Sequence, residues 1–372
     1  MRPAAHPVVT GTGNALPGAR RAADLLAADS LAADLLVASA GAAAGAEPWP
    51  PYDRELRFKD RATRLALLAG AAALTEAGLL DEDGALTVPG AEVGAVVSSN
   101  LGALDTVCRV AESLGRDGQA GLRAVDLPNA CSNAPASNAA IRFGLRGVNL
   151  MLCNGATSGL DAVGWAALAL TACRARHVLV IGVEPADPVV RRWGGGYGTL
   201  DGAAALVMES AEAAEEGARR ARAVVRGYAR RRGVAAAMAS VTAVTAVTAC
   251  EAAVGLWLPP EGDAGGEEKG RASAEARCPS SGTGHPSSPS VAGPPSAAVH
   301  ELGRTLPPAS GAYGVFQCAV ATAWLTAGVP PGAPPTALAA AGGGSADDAA
   351  AAVLLAAALN DMARNEEHEG EG

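Results

Sequence analysis

The chain has 372 residues, of which 49% are hydrophobic and 18% are charged. A chain of this length and composition can bury a sizeable core, which excludes global disorder. Its 29 Lys and Arg residues against 38 Asp and Glu residues give a net charge of −9. This balance disfavours binding through a basic surface, so we expect no nucleic-acid partner.

The cysteines and the apolar stretches bear on the compartment. Seven cysteines are widely spaced, and no two of them follow a Cys-x-x-Cys pattern, so neither a zinc ribbon nor a thioredoxin-type site is indicated. We expect no metal and no cofactor. An odd number of separate thiols suits the reducing cytoplasm, where we expect the protein. The first twenty residues lack the pattern of a signal peptide. The apolar stretch 234–250 is short and contains three threonines, so we expect no membrane span.

Strand-like and helix-like segments alternate along the first half of the chain. Short apolar runs predict strands at residues 7–10, 93–98, 124–128, 150–153, 177–183 and 203–209. Helical spacing of apolar residues predicts helices at residues 61–78, 134–145 and 160–173. This alternation is typical of an α/β fold whose sheet is covered on both faces.

The second half of the chain has a weaker pattern. Residues 259–297 are dominated by Pro, Gly, Ser, Glu and Ala, a composition that buries little surface, so we predict a flexible loop or insertion there. A helix is predicted over 311–327, and residues 349–359 form either a strand or a helix.

Cys131 is the candidate nucleophile. It lies between the strand-like run 124–128 and a helix of small residues. A thiol at a helix N-terminus faces unpaired backbone N–H groups and the positive end of the helix dipole, which favours the thiolate. The same N–H groups can hold an oxyanion during acyl transfer. The alternative interpretation is a buried structural cysteine.

The residues around Cys131 resemble the nucleophile loop of β-ketoacyl synthases, the condensing enzymes of the thiolase superfamily. Further segments resemble that family in the same order along the chain. With the Cys131 loop, they are 8–13 (VVTGTG), 125–133 (VDLPNACSN), 152–156 (LCNGA), 201–209 (DGAAALVME), 302–306 (LGRTL), 309–312 (ASGA) and 342–345 (GGGS). The resemblance covers residues 7–360 and is poor between 232 and 300.

The resemblance implies a thiolase-like five-layer αβαβα fold with two pseudo-duplicated halves, of which the second is eroded. We divide the chain into an N-terminal half (1–210), a connecting segment (211–258), a low-complexity segment (259–297), a C-terminal half (298–362) and an acidic tail (363–372). The family is usually dimeric, so we expect a homodimer or a heterodimer with a ketosynthase. In our alignment, the strand 177–183 forms the dimer contact.

The resemblance also implies ping-pong chemistry, in which a cysteine takes an acyl group from a carrier-protein thioester. Here Cys131 would accept the acyl group, and its backbone N–H would form the oxyanion hole with Gly342 or Gly343. The partners implied are an acyl carrier protein and an acyl thioester substrate.

Several positions depart from the family pattern. Arg304 occupies the second histidine position, and an arginine cannot exchange its proton as an imidazole does. His285 follows the Gly-Thr-Gly segment instead of preceding it, and it could equally be an exposed loop residue. His300 lies four residues before Arg304, and on a helix the two would share a face. The gate positions, usually Phe, are Ala340 and Gly342, which should widen the acyl pocket.

A run of arginines, which includes Arg219, Arg220 and Arg226, lies in an otherwise acidic chain. It could attract an acidic acyl carrier protein, or it could be a solvated strand and helix edge.

Three hypotheses for function stay open. The first is a divergent ketosynthase-like acyltransferase of polyketide or fatty-acid biosynthesis, with decarboxylative condensation undecided. The alternative is a non-catalytic partner of an active ketosynthase, like a chain-length factor. The third is a decaying or mis-framed copy, with 259–297 as the shifted stretch.

Overall fold

The computed structural model describes residues 6–17, 19, 21–25, 50, 54, 56–193, 200–245, 254–257, 298–300, 306, 310–327, 336–342 and 349–358. The strands are β1 (Val8–Ala15), β2 (Val93–Ser98), β3 (Asn149–Leu152), β4 (His177–Glu184), β5 (Gly202–Glu209), β6 (Ala223–Arg232), β7 (Val254–Trp257), β8 (Ala298–His300), β9 (Thr336–Gly342) and β10 (Ala349–Ala357). The described α-helices are α1 (Arg61–Glu76), α2 (Leu104–Asp117), α3 (Asp126–Ala130), α4 (Ala134–Phe143), α5 (Ser158–Thr171), α6 (Pro188–Trp193), α7 (Ala211–Glu216), α8 (Val234–Thr245) and α9 (Tyr313–Ala327).

The described strands form one mixed sheet made of two halves with the same internal order. The first half runs β3-β2-β4-β5-β1, and the second runs β8-β7-β9-β10-β6. In each half three strands are parallel, and an antiparallel pair of strands completes the order. The halves join where β1 pairs with β6, with Val8 opposite Val224. The predicted pseudo-duplication is therefore confirmed.

Helices separate and cover the two halves of the sheet. The buried faces of α5 and α9 share one core with both halves, through residues such as Val180 and Val353. Helices α1 and α4 cover the outer face of the first half, and α8 covers the outer face of the second. The resulting order of helix, sheet, helix, sheet, helix confirms the five-layer α/β fold that the resemblance implies.

The two central helices, α5 and α9, cross in direct backbone contact. A Cβ atom on Gly159 would lie 2.7 Å from the backbone nitrogen of Gly314. Such a distance leaves no room for a side chain at either position. Glycine at both positions therefore lets the N-terminal turns of the two helices meet.

The sequence predicts helix α1 well, and the structure shows why it forms. Asp60 caps the helix, because its carboxylate accepts a hydrogen bond from Thr63 N at 2.8 Å. The chain leaves the helix through Gly78, whose φ of +71° favours glycine.

Residues 124–128 do not form the predicted strand. They lead into the short helix α3, because Asp126 accepts hydrogen bonds from the backbone and the guanidinium of Arg123. This local contact between residues three apart favours a helical turn over an extended chain.

Strand β4 cannot be the dimer strand that the alignment assigned to 177–183. It is paired on one side with β2 and on the other with β5, so neither of its edges is free. The outermost strand of the first half is β3, which pairs with β2 alone in the described sheet. Within the first half, the open strand edge of the described sheet is therefore that of β3.

The second half has kept its strand order. Residues 223–257, assigned from the sequence to a connecting segment, supply β6, α8 and β7, and residues 349–357 form a strand. The low-complexity segment 259–297 and the acidic tail 363–372 lie outside the described residues. No helix in the described part of the chain has the length and apolar character needed to cross a bilayer.

Candidate functional site at the N-termini of the central helices

The fold brings several strand ends and two helix N-termini together at one place. Strands β2, β3 and β4 are parallel, so their carboxyl ends lie at the same edge of the sheet. The turns that precede the central helices, Gly155–Thr157 before α5 and Ser310–Ala312 before α9, reach the same edge. Open α/β sheets bind ligands at this edge, so we take it as the candidate site.

Glu184 occupies the centre of this site. Glu184 is the last residue of β4 and is 3% exposed. Its carboxyl group accepts hydrogen bonds from Asn100 N at 2.7 Å, from Leu101 N at 3.1 Å and from Gly311 N at 3.0 Å. Burial outweighs these bonds and raises the pKa of Glu184 to about 7.

Asn100 connects both helix-leading turns. Its Nδ2 donates to Gly155 O at 2.9 Å and to Ser310 Oγ at 2.7 Å. Its Oδ1 accepts from Ser158 Oγ at 3.0 Å. Ser310 has a φ of +28°, a strained value for a residue with a side chain, and the Asn100 bond holds it there.

Asp161 anchors the first turn of α5 to the second half of the fold. Its buried carboxylate accepts from Tyr228 Oη of β6 at 2.6 Å and from Thr157 Oγ1 at 2.8 Å. Asn154 Nδ2 donates to the same carboxylate. Burial raises the pKa of Tyr228, and the hydrogen bond to Asp161 raises it further, so the phenol stays protonated.

The N-terminal turn of α5 carries no available nucleophile. Ala156 has no functional group, and the Thr157 and Ser158 side chains are fully buried, with hydroxyls that donate to Asp161 and to Asn100. Cys153, just before this turn, has a thiol pKa raised by burial and by the nearby Glu184 charge. A thiol in that setting stays protonated and is a weak nucleophile.

Cys131 does not lie at a helix N-terminus as predicted. It is an exposed residue with extended backbone at the end of α3, and its carbonyl accepts from Ala134 N at 3.0 Å. Its Sγ donates to Leu127 O at 3.4 Å. The described contacts of Cys131 do not include Glu184, Asn100 or Gly342, so the structure does not join this thiol to the site.

The remaining predicted residues are spread over the fold. Gly342 ends β9 with a φ of +95°, and a Cβ atom there would lie 2.8 Å from the Thr157 methyl group, so Gly342 belongs to the site. His300 ends strand β8 and is not helical, so it does not share a helix face with Arg304. His285, Arg304 and Gly343 lie outside the described residues.

Arg219 is a partly buried ion-pair partner of Glu209. Its guanidinium Nε lies 2.9 Å from one Glu209 oxygen and 3.0 Å from the other, and its Nη2 donates to Ala213 O. His177 Nδ1 contacts the same carboxylate at 2.9 Å. These partners hold the pKa of Glu209 below its usual range although burial raises it. Arg220 and Arg226 are exposed, as a docking role requires.

Sequence reasoning missed Asn100, Asp161 and Glu184. Asn100 and Glu184 follow or end buried apolar runs, at the carboxyl ends of strands, and that position was the available signal. Among the described residues, no group of three His, Cys, Asp or Glu side chains could hold a metal ion.

Residues 49–192 match the family model "Beta-ketoacyl synthase, N-terminal domain". This range includes Asn100, Ala156 and Glu184, together with Cys131. No curated protein sequence matches the chain.

Solved structures match nearly the whole chain at low identity. A type II polyketide synthase acyl-carrier protein in complex with its ketosynthase bound to the hexaketide is 14% identical, with a TM-score of 0.67 over 96% of this chain and 100% of that one. The ishigamide ketosynthase/chain length factor is 21% identical, with a TM-score of 0.64 over 95% and 99%. A β-ketoacyl synthase from Burkholderia phymatum is 15% identical, with a TM-score of 0.69 over 95% and 100%.

The family match and the fold agree with each other. The matched range builds the first half of the sheet and the turn before α5, and the structural likeness extends over both halves. Residues 49–192 therefore resemble a β-ketoacyl synthase N-terminal domain, and the chain as a whole has the fold of the solved ketosynthases that it matches.

Proposed function

We propose that this chain is a non-catalytic, ketosynthase-like subunit of polyketide or fatty-acid assembly that acts beside an active ketosynthase, in the manner of a chain-length factor. One observation carries the proposal. The turn that the fold places at the strand ends, before α5, contains Ala156 and no free thiol or hydroxyl. Acyl transfer through a covalent intermediate needs a nucleophile at the oxyanion-binding helix N-terminus.

A partner surface on the first half supports this role. Strand β3 presents an open edge in the described sheet, and α4 and α5 lie on its two faces. Exposed apolar side chains lie on both helices: Ile141 is 80% exposed, Trp165 48% and Leu168 53%. An open strand edge flanked by exposed apolar residues fits strand addition by a second subunit.

The proposal is tested by restoring a thiol at the turn. The wild type and Ala156→Cys are incubated with an acyl-loaded carrier protein, and the intact mass is measured. We expect an adduct on Ala156→Cys only. Ala172→Cys is the matched control, because residue 172 is exposed at the other end of the same helix. A folded Ala156→Cys without an adduct would contradict the placement of the site, and an adduct on the wild type would contradict the non-catalytic role.

The partner is tested separately. We expect the chain to co-purify with a ketosynthase encoded nearby, as a complex of one copy each by light scattering. Trp165→Glu should abolish the complex and leave the melting temperature of the isolated chain unchanged, because Trp165 is half exposed. A complex that tolerates Trp165→Glu would contradict the β3 interface.

A second candidate function is that Cys131 accepts an acyl group, and the surface around its thiol favours this function. Arg109 and Arg123 both pair with the buried carboxylate of Asp126, which leaves a surplus of positive charge. Leu127 and Phe58 are 58% and 54% exposed nearby, and Asn129 Nδ2 donates to Phe58 O. An apolar patch rimmed by arginines suits the acidic surface of a carrier protein.

The two candidates differ in the mass experiment on unmodified protein. If Cys131 accepts the acyl group, the wild type gains an adduct that Cys131→Ala loses and Cys173→Ala keeps. Cys173 is the matched control because it is also an exposed thiol. An unmodified wild type would remove this second candidate.

A further inference from the structure

We propose that Glu184 is a proton-dependent latch between the two halves of the fold. The latch holds the turn Ser310–Ala312 while the carboxyl group carries a proton, and it opens when the proton is lost. The inference goes beyond the proposed function and does not depend on whether the site is catalytic.

The geometry joins the two halves through one side chain. Glu184 Oε1 accepts from Asn100 N in the first half and from Gly311 N in the second. Two further bonds run across the same boundary: Ser98 Oγ donates to Gly311 O at 2.8 Å, and Asn100 Nδ2 donates to Ser310 Oγ. The turn before α9 is therefore fastened to the first half at Glu184 and immediately beside it.

No cation balances the charge of Glu184 among the described residues. The donors that surround its carboxyl group are three backbone N–H groups and the Ser99 hydroxyl, at 3.2 Å, and all are neutral. A buried carboxylate without a counterion is costly, and taking up a proton removes that cost. The raised pKa of Glu184 agrees with this direction.

The closed latch has a place for the proton. A backbone N–H cannot accept a proton, but the Ser99 oxygen can, so the proton lies on Oε2 and donates to Ser99 Oγ. Oε1 then remains an acceptor for Gly311 N. The contact with the second half is thus compatible with the neutral acid.

When the latch opens, water hydrates the Glu184 carboxylate. Above neutral pH, this open state has a lower free energy than the closed state with a buried carboxylate. The proton is released to solvent in this step. Once open, Glu184 no longer holds Gly311 N, and the turn before α9 keeps only the bonds from Ser98 and Asn100 to the first half. Loss of the proton would therefore loosen one of the two helix N-termini at the site.

The thiol of Cys153 does not produce this step. Cys153, directly after β3, interacts electrostatically with Glu184, and its thiol pKa is raised from 9.0, so the thiol stays neutral between pH 5 and pH 8. Asp187, three residues after Glu184, has a pKa raised to about 6 and loses its proton within the same range. Asp187→Asn is therefore the variant that separates the effect of Asp187 from that of Glu184.

Hydrogen exchange of the intact chain tests the latch. The Gly311 amide is followed between pH 5 and pH 8, with correction for intrinsic exchange. If opening restores an ordinary carboxyl pKa, linkage predicts that the protection of Gly311 falls about 100-fold over this range. Glu184→Gln should give protection that is independent of pH. Glu209→Gln is the control, because Glu209 is a buried carboxylate paired with the Arg219 guanidinium and should leave the step unchanged.

Two results would overturn the latch: wild-type protection that is equal at pH 5 and pH 8, or a pH step that persists in Glu184→Gln. If Glu184→Gln does not fold, infrared titration of the wild type decides the question. A carboxylic-acid carbonyl band should disappear with a midpoint near pH 7, and Asp187→Asn should keep that band, because the carboxyl group of Asp187 also loses its proton in this range. Its absence from the wild type would refute the proposal.

Discussion

Gly159 and Gly314 are in van der Waals contact where the two central helices cross. A Cβ atom on Gly314 would lie 2.8 Å from the carbonyl carbon of Gly159. Both glycines lie within the first turns of their helices, so this crossing sets the distance between the two helix N-termini at the site. The pseudo-duplicated halves therefore meet through a pair of residues that occupy comparable places in each.

Replacing Gly159 by Ala should destabilise the fold by about 1–3 kcal/mol, because a backbone contact cannot shift as a side chain can. Thermal and urea unfolding measure the loss. Gly115→Ala is the control: Gly115 lies inside α2 with open space around it and should gain about 0.5–1 kcal/mol. Equal effects at the two positions would contradict the close crossing.

Replacing Arg219 by Ala should cost about 3–5 kcal/mol, because it leaves the Glu209 carboxylate buried without its guanidinium. Arg226→Ala, at an exposed position of the same arginine run, should change stability by less than about 0.5 kcal/mol. Urea unfolding of both variants measures the difference. Equal, small changes would show that Arg219 is a surface residue after all.

The ion pair between Arg219 and Glu209 should also make the stability of the fold depend on pH in the acid range. The pKa of Glu209 is lower in the folded chain than its usual 4.5, so its contribution to stability is present above pH 4.5 and is lost as pH falls below that value. We expect the wild type to lose stability below pH 4.5 more steeply than Glu209→Gln. Parallel curves of unfolding free energy against pH would contradict this expectation.

Ionisation of Asp187 should lower the stability of the fold as pH rises, which is opposite to the effect of Glu209. Burial, together with repulsion from Asp105, raises the pKa of Asp187 from 3.8 to about 6, so stability falls as pH rises between these values. At pH 8, Asp187→Asn should stabilise the chain by about 1–3 kcal/mol, and at pH 3.5 it should change little. Asp105→Asn should have a smaller effect in the same direction. A loss of stability at pH 8 would show that Asp187 has a partner it needs.

Tyr228 and Asp161 should show coupling in a double-mutant cycle. Their 2.6 Å hydrogen bond joins β6 of the second half to α5, and removing a bond to a charged acceptor typically costs about 1.5–3 kcal/mol. Tyr228→Phe and Asp161→Asn should therefore cost less together than the sum of the two single changes. Additive effects in urea unfolding would indicate that the bond does not hold the two elements together.

Local sequence patterns predicted most of the elements of the fold. Alternating apolar runs and helical spacing located β2, β4, β5, α1, α4, α5 and α9, because these elements are buried and their periodicity is strong. The prediction of a strand at 124–128 was wrong, because the contact of Arg123 with Asp126 favours a helical turn there. The choice of dimer strand was wrong as well, because strand order depends on pairing between distant segments.

The site was harder to predict than the fold for the same reason. Cys131 was predicted from the residues around it, which resemble a nucleophile loop, whereas the turn at the strand ends contains Ala156. Glu184 and Gly311 are 127 residues apart, so no local pattern could place them in one hydrogen bond. Only the crossing of the two halves brings these residues together.

The pairing of β1 has a consequence for how the chain is made. Thr10 of β1 donates to Glu209 of β5, and these residues are 199 positions apart. A ribosome adds about 5–20 residues per second, so the first strand waits on the order of ten to forty seconds for its neighbour. During that time its apolar residues are open to chaperones and to other nascent chains. Synthesis of this protein should therefore depend on protection of its first strand until β5 has emerged.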